Sequence, residues 1–482
     1  MPLRSRHVAA AFALVLLGAA RVAHADAPPP PPGSGYNPHM GSWLADPRIS
    51  NGQGWRVGDF ELHPSIGAEI GADSNWFMRT DKTGFLNGPP GAPVQATPVM
   101  RITPAFALTT ASPQNKPGEN VEPPKVNVNL SAALSYNEFF GVLNPEQRNV
   151  GANVNGRVDF LPGRPFSVGL FALYTRTLNP NTSGNPDSSF NRNDVGGGLE
   201  LVLQPGGGTL DWRLGYQIRG GVFDQAAAVP FTNLQHDIYT KGRWKFRPRT
   251  AFLYDANFRF MNYTNSTSYN WLLDGTPMRT RLGMSGLVTS RIALTGMLGW
   301  ASTFLNTNGL AQAAPGSGNA TPSAPPQWNS IIAQAEAKFF LTANPEAGEA
   351  PANASFSTIA IGYVRDYQAS FLSNFYGWDR GYAKWQWFIG PKAAISVEGG
   401  VGAAQYGDVY VRNQTTPVKG HFVTVKPDAS IFGEYRILPS LAVNISGRFT
   451  GEFSNETVPA NGGTYVMDWK RFEDFAGVRW FM

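Results

Sequence analysis

Charged side chains at every second position are the residues of this chain best placed to act on a solute. Side chains at alternate positions of a β-strand share one face, so each run predicts a charged surface that could bind or steer ions. The basic set is Arg213, Arg219, Lys241, Arg243, Lys245, Arg259, Arg279 and Arg281. The acidic set is Glu69, Glu336, Glu398, Asp428, Glu434, Glu452 and Glu473.

Signals for catalysis, for a metal or for a cofactor are weak. Cysteine is absent, which excludes thiol chemistry and Cys-based zinc sites. After residue 25 the histidines are His39, His63, His236 and His421, and no two have metal-ligand spacing. No Gly-x-Ser-x-Gly motif surrounds a candidate serine. The sequence therefore predicts no enzyme, no cofactor and no metal site, with a membrane-embedded Ser/His hydrolase as a remote alternative.

The composition indicates a membrane protein. Charged residues make up 15% of the chain, against about 25% in soluble domains, while 31 Phe, 16 Tyr and 13 Trp are present. Three of the 39 basic residues lie before residue 26, so the remainder of the chain is nearly neutral. A nucleic-acid partner is therefore not expected, because such binding relies on many phosphate contacts.

The first 25 residues resemble an export signal. Arg4, Arg6 and His7 precede the apolar run 8–20, and Ala23-His-Ala25 provides a small-x-small cleavage site. We expect cleavage after Ala25. Residues 26–58 are rich in Pro and Gly and predict an extended, poorly packed periplasmic lead-in, most simply a spacer.

From residue 59 to residue 482 the pattern has period two. Val126, Val128 and Leu130 alternate with Asn127 and Asn129, for example. Such runs suit tilted membrane strands of about 9–11 residues with overhang. Eighteen strands are predicted, at 59–71, 98–110, 125–139, 149–161, 165–177, 193–204, 208–220, 233–247, 249–263, 277–289, 291–304, 329–343, 355–367, 380–389, 391–405, 420–435, 438–452 and 466–482.

The connections between these strands alternate in length. Short ones such as 204–208, 247–249 and 289–291 separate long polar ones, although 111–124 and 344–354 are longer than the pattern requires. This alternation is typical of bacterial outer-membrane barrels, and an even strand number returns both termini to the periplasm. The predicted fold is therefore an all-β, antiparallel, up-and-down transmembrane β-barrel. A soluble multi-domain β-sandwich is the alternative.

Two segments carry resemblances to known proteins. Leu62-His-Pro-Ser-Ile-Gly-Ala-Glu-Ile-Gly-Ala-Asp-Ser-Asn75 resembles the first strand of a bacterial β-barrel porin family, some of whose relatives accompany polysaccharide export. Trp480-Phe481-Met482 resembles the terminal signal that the barrel-assembly machinery recognises, although such proteins usually end on Phe or Trp. The resemblances imply an outer-membrane barrel of a Gram-negative bacterium and no catalytic residues.

The predicted function follows from strand number, because barrels of 16–18 strands enclose an aqueous channel. We expect a water-filled pore for polar solutes or for export of a polysaccharide. A structural or adhesive surface barrel without transport is the alternative. A basic and an acidic wall would set up a field across the pore, although charges could equally serve only to keep the lumen wet. Loop 305–328 is the first candidate for a plug.

The expected partners are outer-membrane lipid, the assembly machinery, the solute and, for export, proteins of an export complex. Aromatic residues near strand ends are predicted to anchor the barrel at the two membrane interfaces, with sugar stacking as the alternative. They are Trp76, Phe77, Phe139, Phe140, Trp244, Trp300, Trp328, Trp378 and Trp480. The sequence leaves the solute and the oligomeric state open.

Overall fold

The computed structural model describes residues 40, 42–45, 54–76, 78, 80, 96–111, 124–140, 149–178, 191–224, 232–264, 273–306, 327–342, 356–370, 374–409, 419–460 and 463–482. Eighteen long strands make up most of this part of the chain. They are β1 (Phe60–Asp73), β2 (Thr97–Thr110), β3 (Val126–Phe139), β4 (Asn149–Phe160), β5 (Phe166–Thr177), β6 (Arg192–Leu203), β7 (Leu210–Phe223), β8 (Asn233–Arg247), β9 (Thr250–Tyr263), β10 (Met278–Thr289), β11 (Ile292–Ser302), β12 (Asn329–Phe340), β13 (Phe356–Ser370), β14 (Asn374–Ile389), β15 (Ala393–Tyr406), β16 (Phe422–Leu438), β17 (Leu441–Glu452) and β18 (Trp469–Phe481).

Each strand pairs antiparallel with its neighbours in sequence, and the last strand pairs with the first. The closing seam joins β1 to β18 from Ser65 opposite Phe481 to Asp73 opposite Glu473. The fold is therefore a closed, up-and-down, eighteen-strand barrel, which confirms the predicted fold class and strand number. Closure satisfies the backbone hydrogen-bonding groups without leaving a sheet edge.

Five short elements accompany the barrel in the described residues. A strand at Trp55–Val57 folds back onto the start of β1, and a hairpin joins Thr457–Ala460 to Gly463–Val466. A 3-10 turn spans Ser42–Ala45, and a single helical turn spans Pro205–Gly208 between β6 and β7. No helix in the described part of the chain is long and apolar enough to cross a membrane.

The barrel has two unlike ends. Connections of two or three residues join β8 to β9, β10 to β11 and β16 to β17 at one end, where β1 begins and β18 finishes. We call this the turn end, and the opposite end, where most of the longer connections leave, the loop end. The predicted connections 111–124 and 344–354 fall almost entirely outside the described residues.

The outer face of the barrel is apolar because the period-two pattern sends large hydrophobic side chains outward. Ile238, Leu282, Leu298, Val401 and Ile445 are all exposed, Leu298 at 62% of its surface. Charged and amide side chains occupy the opposite parity and face the lumen. An apolar band around a polar interior is the arrangement of a barrel that spans a membrane.

Candidate functional site

Glu200, on β6, is the centre of a dense charge cluster on the inner wall. Its carboxylate is 1% exposed and lies 2.8 Å from Arg157 Nη2, 3.2 Å from Arg213 Nη1 and 3.6 Å from Lys241 Nζ. The hydroxyl of Tyr239 donates to the same carboxylate at 3.0 Å. Residues from β4, β6, β7 and β8 thus meet on one acid, since they all point to the concave side of the sheet.

A glycine on β5 allows Arg157 of β4 to reach Glu200 of β6. Gly169 on β5 lies opposite Asp159 on one side and Glu200 on the other. A Cβ at position 169 would come within 2.4 Å of Arg157 Nη2. The missing side chain therefore leaves the space through which Arg157 crosses β5 to bind Glu200.

Most of the predicted basic residues are already ion-paired. Arg213 also binds Asp211 on its own strand, at 2.9 Å. Three further arginines reach acids on other strands, and Arg279 spans from β10 to β13. These pairs are Arg259 with Asp237 at 2.6 Å, Arg279 with Asp366 at 2.9 Å and Arg281 with Asp255 at 2.7 Å.

Four of the predicted cations, on β7 and β8, remain in excess, and we call them the basic stripe: Arg219, Lys241, Arg243 and Lys245. Arg219, Arg243 and Lys245 have no carboxylate of the described residues within 4.0 Å, and Lys241 shares Glu200 with two arginines. The three β8 members occupy successive inward positions, about 7 Å apart. These three therefore run from the turn end towards the middle of the lumen, whereas Arg219, opposite Gln235, lies nearer to the loop end.

Six of the seven predicted acidic residues are paired with bases that the sequence analysis did not select, and Glu336 has a neutral partner. Five inward-facing bases pair with them, and Tyr382 donates to Glu336 at 2.5 Å. The ion pairs are Glu69 with Arg101 at 2.7 Å, Glu398 and Asp428 with Arg380 at 2.9 and 2.5 Å, Glu434 with Arg479 at 2.8 Å, Glu452 with Lys426 at 3.1 Å, and Glu473 with Arg471 at 2.9 Å.

The two predicted walls are thus unequal in the structure. The acidic wall consists largely of ion pairs, so its charge cancels over a few ångströms, whereas the basic stripe keeps an excess of positive charge. Side chains on both walls also remain accessible to solvent, as Lys241 at 42% and Asp428 at 31% illustrate. Water therefore reaches the inner wall on both sides of the barrel.

Several predicted interfacial aromatics lie inside rather than outside. Phe140, Trp244, Trp300 and Trp480 follow the outward parity, but four others are buried at the loop end. Trp76 and Phe139 pack together at 4.6 Å between ring centroids, and Trp328 and Trp378 join two similar clusters. For these four the predicted membrane contact is wrong, because they pack against inward-facing side chains such as Phe475, Ile332 and Tyr406. Phe77 lies outside the described residues.

The lead-in segment also enters the lumen. Met40 is 3% exposed and Trp43 fully buried, the latter packed against Ala394 on β15 and Phe432 on β16. The guanidinium of Arg479 lies 4.8 Å from the Trp43 ring centroid. At this point the segment is packed, because Trp43 buries its ring against the inner wall. This differs from the expected poorly packed spacer.

The predicted plug, loop 305–328, falls mostly outside the described residues. At its start, Leu305 bridges to Gly275, and at its end Trp328 packs against Phe375. Among the described residues no group of three or more His, Cys, Asp or Glu side chains could hold a metal ion.

Comparisons with known proteins show similarity to solved outer-membrane protein structures, but they assign the chain to no family. No protein-family model matches the chain, and no curated protein matches its sequence. Among solved structures, OccAB4 of Acinetobacter baumannii is 11% identical, with 91% of this chain and 100% of that chain covered and a TM-score of 0.43. The outer membrane protein opdK of Pseudomonas aeruginosa is 9% identical, with 88% and 100% covered and a TM-score of 0.43. Identity at this level assigns no residue and no substrate.

Proposed function

We propose that the chain forms a water-filled pore for polar solutes in the outer membrane of a Gram-negative bacterium. The observation that carries the proposal is the closed eighteen-strand barrel with an apolar outer face and a charged, solvent-accessible inner wall. A barrel of this strand number encloses more space than its own side chains fill. Such a channel needs no catalytic group. In this orientation both ends of the barrel sequence would lie in the periplasm, at the turn end.

The basic stripe gives this pore a preference for anionic solutes. Positive charges that lack close carboxylates attract anions along the wall, and a low-dielectric barrel around them concentrates the field. The opposite wall contributes little, because all of its predicted acids except Glu336 are paired with bases. The predicted field across the pore is therefore replaced by a one-sided, positive surface. Export of a polysaccharide stays a prediction.

Planar-bilayer recordings test both parts of the proposal. A triple variant, Lys241→Gln with Arg243→Gln and Lys245→Gln, should shift the reversal potential in a KCl gradient towards cation preference. The control removes three bases at the turn end: Lys125→Gln, Arg249→Gln and Lys392→Gln. Recordings at about 0.1 M salt are needed, because the Debye length falls to about 3 Å at 1 M.

The outcomes separate the pore from its selectivity. Absence of conductance steps from folded, inserted protein would overturn the pore and favour a structural or adhesive barrel. Steps with equal reversal potentials in the triple variant and the unmodified protein would overturn only the anion preference. A shift in the triple variant that the control lacks supports both.

A further inference from the structure

A recess in the inner wall differs from its surroundings because it carries no charge. It has a volume of about 210 Å³ and lies where β1 to β4 meet the turn at Ser42–Ala45. Among the residues that line it there is no Asp, Glu, Lys or Arg. Its polar groups are amides, hydroxyls, one histidine and the indole N–H of Trp43, whereas most of the inner wall is lined by ion pairs.

The register of the strands brings these polar groups together. Asn155 lies opposite Ser131, and Ser131 lies opposite Ala107, so one row crosses β4, β3 and β2. The next row towards the loop end holds Asn153 and Ala133. Because all of them have inward parity, amides, a hydroxyl and small apolar side chains form one continuous surface.

The two asparagines are oriented by each other. Asn155 Nδ2 donates to Asn153 Oδ1 at 2.6 Å. With this bond formed, Asn153 Nδ2 still offers its two N–H groups and Asn155 Oδ1 can still accept, beside the second N–H of Asn155 Nδ2. A vicinal diol can accept from Asn153 Nδ2 and donate to Asn155 Oδ1, whereas a carboxylate can only accept.

Apolar atoms complete the recess on the opposite side. Leu44 is half-buried and lines the recess together with the Trp43 ring. A carbohydrate ring presents C–H groups on its faces and hydroxyls at its edge, so it matches an apolar ledge beside an amide pair. Pockets for drug-sized ligands measure about 300–1,000 Å³, so this recess suits a single sugar unit.

We infer that this recess is a binding subsite for neutral, polyhydroxylated solutes such as a monosaccharide unit. The inference rests on the proposed pore, and it adds a second solute class to the anions that the basic stripe attracts. Two strong charges lie beside the recess, and both are held by acids. Arg157, opposite Asn129, is bound by Asp159 and Glu200, and Arg479, beside Trp43, is bound by Glu434, so neither imposes anion preference on the recess.

Uptake into proteoliposomes tests the subsite with labelled glucose, and glucuronate serves as the charged analogue. Glucose uptake should saturate, and Asn153→Ala with Asn155→Ala should raise its half-saturation concentration about tenfold, as expected for the loss of two hydrogen bonds. The half-saturation concentration for glucuronate should change little. The matched control, Gln217→Ala with Asn257→Ala, removes two inward amides from β7 and β9, outside the recess.

The uptake measurements distinguish failure of the subsite from failure of the pore. Linear glucose uptake by conducting, unmodified protein would overturn the subsite and leave the pore intact. An unchanged half-saturation in the Asn153/Asn155 variant, or an equal change in the control, would overturn it too. Protein that neither conducts nor takes up either solute would overturn the proposed pore itself. Heat-modifiable migration confirms that every variant is folded.

Discussion

Single residues explain which of the predicted charges remain available to a solute. The parity of Lys241, Arg243 and Lys245 could be predicted from the sequence, since alternation alone sends them to one face. The ion-pair partners of charged residues on the inner wall could not be predicted from the sequence. Arg471 binds Asp73 across the closing seam, and Arg157 reaches Glu200 across a whole strand. Such pairs depend on the strand register and on which strands meet. The period-two sequence pattern specifies neither of these.

Glu200 is the acid whose removal should change the charge of the lumen most. Glu200→Gln leaves Arg157, Arg213 and Lys241 without their shared carboxylate, so the positive excess grows. We expect the anion-to-cation permeability ratio at about 0.1 M salt to rise about threefold.

The matched control for that charge change is Glu336→Gln on the other wall, where the partner is the neutral Tyr382. Reversal potentials of the two variants, recorded under the same conditions, test whether the position of the removed acid affects ion selectivity. An equal rise in both would mean that the position of the acid is irrelevant and that only the total charge counts.

At the scale of the strands, the sequence predicted the number and most of the bounds. β14 is the main departure, because it begins at Asn374 rather than at residue 380. Its first residues place Trp378 inward and Asp379 outward, which reverses the apolar-out pattern that the prediction used. There the strand extends beyond the apolar band, so outward residues no longer need to be hydrophobic. The hairpin at Thr457–Ala460 and Gly463–Val466 was missed for the same reason.

The seam between the first and last strands depends on a glycine. A Cβ at Gly71 would lie 1.7 Å from the carbonyl oxygen of Asp474 on β18. Gly71→Ala should therefore separate the two strands and prevent closure. Gly296, on the outer face of β11, has no atom within 4 Å of such a Cβ, so Gly296→Ala is the control. Heat-modifiable migration in gels should be lost only for Gly71→Ala, and a folded Gly71→Ala barrel would contradict this account.

The turn at Ser42–Ala45 occupies part of the lumen through one side chain. Trp43→Ala removes the ring that packs against Ala394 and Phe432 and lies beside Arg479. Release of the turn should widen the passage, so single-channel conductance should rise. Trp244→Ala, an exposed tryptophan on the outer wall, should leave conductance unchanged. Equal conductance in all three proteins would mean that the turn does not narrow the pore.

At the scale of the whole molecule, the two ends of the barrel differ, and an experiment can determine which end faces the periplasm. The short connections, the start of β1 and the end of β18 share the turn end, and barrels of outer membranes place such turns in the periplasm. The loop end would then face the outside of the cell. No contact within a single chain fixes this orientation, because it depends on the membrane around the barrel.

Single cysteines can report this orientation, because the chain has none of its own. Asn455→Cys places a thiol at the loop end, and Thr209→Cys places one in the turn between β6 and β7, both at exposed positions. A maleimide too large to pass a pore should label Asn455→Cys in intact cells. It should label Thr209→Cys only after the outer membrane is permeabilised, and the unmodified chain should stay unlabelled throughout. The reverse pattern would place the turn end outside the cell, and the basic stripe would then lie nearest the external mouth, where it would meet anions on entry rather than on exit.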